Sequence, residues 1–271
     1  MANNTEGRLV DIGEAKLYTE TFGAGEPLLL VAGLGGVGKF WANQVELLSQ
    51  HFQVILHDHR GVGRSSPAPV ISGAESLADD LVALMDALEI EQAHLAGHST
   101  GGAIGQHIAL KHPQRLKSLV LSASWAGPTP LFIDTFKARR DVLINSGVRN
   151  YMMIGTLLAI PAWFLKDKFK GVDDYLAGRF ADFPGLEVEL GRLNAVMTHD
   201  LRHRVQEITT PTTVLCAQDD QLTPLSMSEE LAKRIPGAAL KVLDRGGHFC
   251  PVTNTADYNP LLLEALQAHA S

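Results

Sequence analysis

Ala93-His94-Leu95-Ala96-Gly97-His98-Ser99-Thr100-Gly101-Gly102-Ala103-Ile104-Gly105 is the stretch on which the reading of this 271-residue chain turns. Ala93–Ala96 reads as a short apolar strand, and the residues from Gly101 to His112 read as a helix. Between them, Gly97-His98-Ser99-Thr100-Gly101 fits the pattern G-x-S-x-G in the strand–turn–helix setting that gives the pattern its meaning. The reason is steric. A sharp turn holds the serine in a strained backbone conformation, and glycines at 97 and 101 let strand and helix approach. The Ser99 hydroxyl then projects into a cleft beside the first N–H groups of the helix. Taken alone, the five residues also fit a Gly/Ser-rich turn with a buried capping serine.

Working outward, strand and helix patterns alternate. Arg8–Ile12 and Lys16–Phe22 flank Gly13 as a hairpin, Pro27–Ala32 is a buried strand, Phe40–Gln50 is helical, and Gln53–His57 is again a strand. Ser76-Leu77-Ala78-Asp79 has the spacing of a capping box. The helix it opens carries Leu77, Leu81, Leu84, Met85 and Leu88 on one face. Leu116–Ser122 is a strand. From Trp125 to Glu207 the pattern is mainly helical, and alternation resumes with Thr212–Ala217, a helix over Leu225–Ile235, the strand Ala239–Leu243 and a helix near Pro260–Ala270. Such alternation implies parallel strands in an α/β architecture. The middle segment is expected to be a helical cap, residues 125–207, inserted into one core formed by residues 1–124 and 208–271.

Composition narrows the function. The chain is 45% hydrophobic and 20% charged, which excludes a disordered or fibrous protein. Lys and Arg number 23 against 30 Asp and Glu, a net charge of −7 that argues against binding a phosphate backbone. Met1–Arg8 lacks the apolar core of a signal peptide, and the longest apolar run, Tyr151–Leu165, is broken by Gly155 and Pro161. A cytoplasmic protein with no membrane contact is the expectation, and a homodimer is compatible with it. The two cysteines, Cys216 and Cys250, make no disulfide framework, and the eleven histidines show no zinc spacing. No metal and no cofactor is expected.

A serine hydroxyl needs a base to act as a nucleophile at neutral pH. In this motif class the partners follow in the order Ser, Asp or Glu, His. Asp219 and Asp220 follow the strand Thr212–Ala217, and His248 follows Gly246 and Gly247 after the strand Ala239–Leu243. Asp244 is a third acid, too close to His248 in sequence to serve it. The Gly33-Leu34-Gly35-Gly36 turn can aim the Leu34 N–H at a developing oxyanion, with the Thr100 N–H as second donor. Gly33, Gly35 and Gly38 also spell G-x-G-x-x-G after a strand, with Asp58 about 20 residues on, the shape of a dinucleotide site. That reading leaves Ser99 and His248 unexplained and is set aside. A P-loop is excluded, because no Gly-Lys-Ser/Thr follows.

On these residues the chain resembles the α/β-hydrolase superfamily. Asp58-His59-Arg60-Gly61-Val62-Gly63-Arg64-Ser65 is similar to its Asp-x-Arg-Gly-x-Gly-x-Ser turn, and Asp220-x-x-x-Pro224 resembles its acid loop. The resemblance implies an eight-stranded, mostly parallel sheet flanked by helices, with the cap after strand 6. It also implies Ser99 as nucleophile, His248 as base and Asp220, rather than Asp219, as the residue orienting His248. Ala32 stands where many members carry a histidine before the oxyanion glycine. Gly191-Arg192-Leu193-Asn194-Ala195, Leu215–Asp220 and Gly246–Cys250 resemble the aminoacrylate hydrolases of pyrimidine breakdown, and Gly33-Leu34-Gly35-Gly36 resembles enol-lactonases. A fainter likeness to triad-bearing hormone receptors and a stress regulator lies in Cys216–Asp220.

The expected activity is that of a serine hydrolase cleaving a small or medium ester or lactone. The alternatives are an amide or carbamate hydrolase, or a slow ligand receptor. The apolar stock of the cap, with Gly33, Trp125, Trp163 and Met153, is expected to line the substrate pocket, without a basic cluster. His199, Arg202, His203 and Arg204 read either as a carboxylate-binding group or, more simply, as a solvated helix face.

Overall fold

In the computed structural model, which describes residues 5–68, 73–168, 176 and 178–270, eight strands form one sheet. They are β1 (Thr5–Asp11), β2 (Lys16–Phe22), β3 (Pro27–Val31), β4 (Gln53–His57), β5 (Ala93–His98), β6 (Leu116–Ser122), β7 (Thr212–Ala217) and β8 (Ala239–Leu243). Their order across the sheet is β1-β2-β4-β3-β5-β6-β7-β8. The β1–β2 hairpin and the β2–β4 pair are antiparallel, and every pair from β4 to β8 is parallel. The helices are α1 (Ala42–Leu48), α2 (Ala74–Ala87), α3 (Thr100–Lys111), α4 (Pro130–Ala159), α5 (Ala162–Lys168), α6 (Leu186–Thr198), α7 (Leu225–Arg234), α8 (Cys250–Thr253) and α9 (Thr255–Gln267).

Parallel strands covered on both faces are apolar without interruption, and β3 shows why. Leu29 and Val31 join Leu81, Leu84, Ile104, Ile108 and Leu231 of α2, α3 and α7 on one face. Leu28 and Leu30 point the other way, to Trp41, Leu48, Tyr258 and Leu262 around α1 and α9. Truncating any one of these fully buried leucines to alanine costs about 2–5 kcal/mol. A third cluster joins Trp125, Phe132, Phe136 and Leu143 to Leu193 and Val196, so that α4 and α6, which lie between β6 and β7 in the chain, pack together above the sheet.

Two local expectations are corrected. Helix α2 begins at Ala74 with Gly73 at its N-cap, so Ser76 lies in the first turn and the capping box does not form. The final helix starts at Thr255, and Pro260 lies inside it past the first turn, where it leaves one helical carbonyl without its N–H partner. Helix α4 is interrupted at Gly147, whose φ of 80° is open to glycine and breaks the helical path. Cys216 and Cys250 are both free and buried. Among the described residues no helix is long and apolar enough to cross a membrane.

Candidate active site

The candidate side chains gather where the parallel strands end, because each β–α turn leaves its residues at the carboxyl edge of the sheet. At the end of β5, Ser99 has φ 55° and ψ −118°, a strained position for a residue with a Cβ. The neighbours enforce it. A Cβ on Gly97 would lie 2.2 Å from the Gly101 carbonyl oxygen, and one on Gly101 would lie 2.2 Å from that of Val31. The Ser99 N–H donates to Ser122 O at 2.7 Å, and Ser124 Oγ donates to Ser99 O at 3.0 Å, so the turn is held from β6. Thr100 is the first residue of α3, and its N–H is among those a helix cannot use internally.

His248 lies in the loop after β8, buried, with Nδ1 2.9 Å from Asp220 Oδ2. Asp220 is itself fixed: Oδ1 accepts from the N–H groups of Leu222 and Thr223 at 2.8 and 2.9 Å, and Oδ2 accepts from Thr223 Oγ1 at 2.7 Å. A carboxylate only accepts, so Nδ1 carries the proton and Nε2 is left as the lone-pair nitrogen. Asp219 does something else. Its Oδ1 accepts from the N–H groups of Gly246 and Gly247, both at 2.7 Å, and its Oδ2 accepts from Trp163 Nε1 at 3.3 Å. Adjacent carboxylates thus divide the work: one holds the histidine ring, the other holds the histidine loop. Asp244 follows β8 rather than belonging to it and is exposed.

His98 packs against this group. Its ring centroid is 4.9 Å from that of His248 and stacks on Phe40 at 4.7 Å. Burial, reinforced by His248, pushes its pKa well below the ordinary histidine range, so it faces His248 uncharged. Its Nδ1 pairs with Ser122 Oγ at 3.2 Å, and that oxygen also receives the Tyr258 hydroxyl at 2.9 Å.

The Gly33-Leu34-Gly35-Gly36 turn follows β3. A Cβ on Gly33 would come 3.1 Å from Ser99 Cβ, so bare backbone faces the serine. The turn is held by Arg192 of α6. This arginine is 2% exposed; its Nε donates to Leu34 O at 2.8 Å, and its Nη2 lies 3.4 Å from Gly33 O and 3.1 Å from His59 Nδ1. Among the described residues no peptide bond is cis, and a trans peptide aims N–H and C=O in opposite directions. Holding the Gly33 carbonyl therefore fixes where the Leu34 N–H points. Gly36, at φ 69°, must be glycine: a Cβ there would lie 2.6 Å from Arg192 Nη2. His59 accepts from the guanidinium only when neutral, and burial followed by Arg192 and His57 lowers its pKa well below the usual value.

Asp58 is structural. Its buried carboxylate accepts from the N–H groups of Gly38 at 2.8 Å and Arg64 at 2.9 Å. The segment after the glycines is the 3₁₀ helix Gly38–Trp41, which leads directly into the short α1, Ala42–Leu48.

Ser99, Thr100, Gly33, Leu34 and His248 border one cavity of about 550 Å³ between sheet edge and cap. Trp125, Trp163 and Met153 do not border it. Trp125 is buried against Phe132 and His199, Trp163 stands under Arg245 and on Asp219, and Met153 packs in the cap cluster. The polar group at 199–204 is elsewhere as well, and it is not a helix face. His199 is buried, Arg202 binds Glu230 and the carbonyls of Gly127 and Pro128, and Arg204 pairs with Glu207. The expectation of a wall without basic residues is also corrected, since Lys39, Arg139 and Arg179 all border the cavity. Arg139 and Arg192 were legible in one respect: each falls on the apolar stripe of its helix, with Phe132, Phe136 and Leu143 in α4 and with Leu193 and Val196 in α6. A charge on such a stripe is a buried charge. Among the described residues no cluster of His, Cys, Asp or Glu is arranged to hold a metal ion.

A family model described as alpha/beta hydrolase fold matches residues 26–145 and 147–255. Two proteins named "Putative carbamate hydrolase RutD" are similar along most of both chains. The one from Serratia proteamaculans is 38% identical over 252 residues, covering 91% of this chain and 94% of its own. The one from Yersinia enterocolitica is 40% identical over 257 residues, covering 92% of each. A solved hydrolase from Pseudomonas aeruginosa superposes with a TM-score of 0.85 at 30% identity, covering 97% of this chain and 98% of that one. An enol-lactonase from Burkholderia xenovorans superposes equally well, 0.85, at 23% identity over 96% of this chain and 100% of its own, a likeness of fold alone.

Proposed function

The chain belongs to the alpha/beta hydrolase fold family, and from that premise we propose that it is a serine hydrolase of carbamate- or amide-class acyl substrates. The observation that carries the reading is the 2.9 Å bond from His248 Nδ1 to Asp220, with the same ring and the strained Ser99 on one cavity. Ser99 Oγ attacks the acyl carbon while its proton passes to His248 Nε2. Asp220 stabilises the imidazolium that results. The N–H groups of Leu34 and Thr100 receive the oxyanion, the charge that exists only in the tetrahedral state. Collapse of that state breaks the bond to the leaving nitrogen or oxygen, which takes the proton from Nε2. Water, deprotonated by the same nitrogen, then releases the acyl group and restores Ser99.

The named relatives favour carbamates over the ester or lactone expected from sequence. The ester reading keeps one observation in its favour, a cavity of about 550 Å³, which lies in the range of about 300–1,000 Å³ typical of sites for larger apolar ligands. The test is steady-state turnover of p-nitrophenyl N-methylcarbamate and p-nitrophenyl propionate by the wild type and Ser99→Ala. The proposal expects repeated turnover of the carbamate and a loss of up to ~10⁶ in the variant. A variant retaining a tenth of the activity overturns the role of Ser99. Turnover of the ester alone, with the carbamate stopping after one acyl group per chain, overturns the carbamate reading.

A further inference from the structure

Among the described residues, the border of the cavity carries three cationic side chains, Lys39, Arg139 and Arg179, against two carboxylates, Asp182 and Glu189. Arg139, on α4, is 7% exposed, and its Nε is buried without a hydrogen-bond partner. Its Nη2 reaches only the Tyr151 hydroxyl, at 3.4 Å, and its guanidinium carbon lies 5.1 Å from the centre of that ring. Arg179 borders the same cavity and donates to Thr156 Oγ1 at 2.8 Å. Neither arginine is joined to a carboxylate by any ion pair among the described residues. The acidic groups facing them are spoken for. Glu189 accepts from the Tyr151 hydroxyl, and Asp182 pairs with Lys39. Arg192, behind the oxyanion turn, adds a further buried cation beside Glu189.

Burying a guanidinium without an anion is costly, and a ligand that brings the anion offsets that cost. A fork of planar N–H donors matches a carboxylate in particular. We infer that the cap side of the cavity is an anion subsite, in which Arg139 and Arg179 bind a carboxylate carried by the substrate beyond its scissile bond. The remaining wall, with Phe136, Met152, Phe183 and Leu222, takes an apolar segment joining the two ends. The substrate class is therefore an acyl compound with an apolar body and a terminal carboxylate. The inference rests on the reading of Ser99 given above, since both ends of the substrate share one cavity.

Two measurements separate this inference from that reading. The first is calorimetric titration of the wild type with heptanoate and with heptanamide at pH 7.5, which involves no reaction. The anion is expected to bind about tenfold tighter or better, as one charge-assisted hydrogen bond supplies. Arg139→Met and Arg179→Met are expected to abolish the difference, and Arg140→Met, an exposed neighbour paired with Asp141, to keep it. Gly155→Ala guards against misfolding of the methionine variants. A Cβ there would lie 2.9 Å from Arg139 Nη2, moving the fork while keeping its charge, and should weaken heptanoate binding. Equal binding of acid and amide overturns the subsite. So does an advantage that survives in both arginine variants, because the carboxylate would then sit at the oxyanion turn. The second measurement is the ratio of kcat/KM for mono-p-nitrophenyl pimelate over p-nitrophenyl heptanoate. It should exceed about ten in the wild type and fall toward one in the arginine variants. Should Ser99→Ala hydrolyse both esters like the wild type, the hydrolase reading fails while the calorimetry still decides the subsite.

Discussion

Asp219 and Asp220 stand side by side, yet the structure gives them separable consequences. In Asp219→Ala, the N–H groups of Gly246 and Gly247 lose the oxygen that accepts both at 2.7 Å. Both glycines are buried, and the loop between them has no room to turn aside. A Cβ on Gly246 would lie 2.6 Å from Cys250 Cβ, and one on Gly247 would lie 2.7 Å from Pro161 Cδ. An unsatisfied buried donor costs about 1–3 kcal/mol, so two cost about 2–6 kcal/mol. Asp219 is half-buried, so water recovers part of this, and a loss of about 2–4 kcal/mol in folding stability is expected. Asp219→Asn keeps an accepting oxygen and should lose about half as much. Asp220→Asn acts on chemistry. An amide nitrogen opposite His248 Nδ1 donates where the carboxylate accepted, so the ring takes the tautomer with its proton on Nε2, and kcat should fall about 10⁴-fold. Urea unfolding and ester turnover, measured on all three proteins, check the division. If Asp219→Ala loses 10⁴ in kcat at full stability while Asp220→Asn stays active, the roles are reversed and the reasoning is refuted.

Arg192→Met removes the donors on Leu34 O and Gly33 O, and kcat is expected to fall about 10–10²-fold with KM little changed, since a misplaced oxyanion donor is felt in the transition state. Affinity for a boronic acid, which mimics that state, should fall in parallel; kcat within twofold of wild type would reduce Arg192 to packing. Gly101→Ala puts a Cβ 2.2 Å from the Val31 carbonyl oxygen and should leave little folded protein, which a soluble, cooperatively melting variant would contradict. Stability should drop on acidification below pH 6.5. Burial lowers His57 to about 4 and His199 to about 3, so below 6.5 the unfolded chain binds protons that the folded one refuses. Each contributes a slope of up to ~1.4 kcal/mol per pH unit, stability falling as pH falls until the folded pKa is reached. Urea midpoints at pH 7.5 and 5.0 test this, and equal midpoints would exclude it.

What the sequence made legible follows from how each feature is encoded. Strands β4, β6, β7 and β8 have the predicted ends; in β4 and β7 that is because buried parallel strands are apolar runs cut off by polar or glycine residues, whereas β8 is a largely exposed edge strand. The Ser99 turn was legible because its sterics demand glycine at both flanks, so the demand is written in the letters themselves. Helix starts were less legible. Ser76 has the letters of a cap, but α2 starts upstream at the buried Ala74, and tertiary packing outranks a local hydrogen bond.

The cap was read worst, for a physical reason. Its large apolar residues announce burial without saying against what, and burial inside the cap cluster and burial on the cavity use the same residue types. Trp125 and Phe136 look alike in sequence; one sits behind Phe132 and the other on the cavity wall. Charge carries the missing information. An arginine in a basic run such as 202–204 has water or a local acid to go to, and Arg204 takes Glu207. One on an apolar helical stripe has neither and must be stabilised by something specific within reach. Arg192 finds the carbonyls of Gly33 and Leu34, which ties α6 of the cap to the edge of the sheet beside Ser99. Arg139 finds a tyrosine at the limit of hydrogen-bond distance and keeps one donor unused. The cap therefore acts on the site through its misplaced charges: each arginine keeps one buried nitrogen without a partner, and Arg139, the one that borders the cavity, is the one with work left to do when substrate arrives.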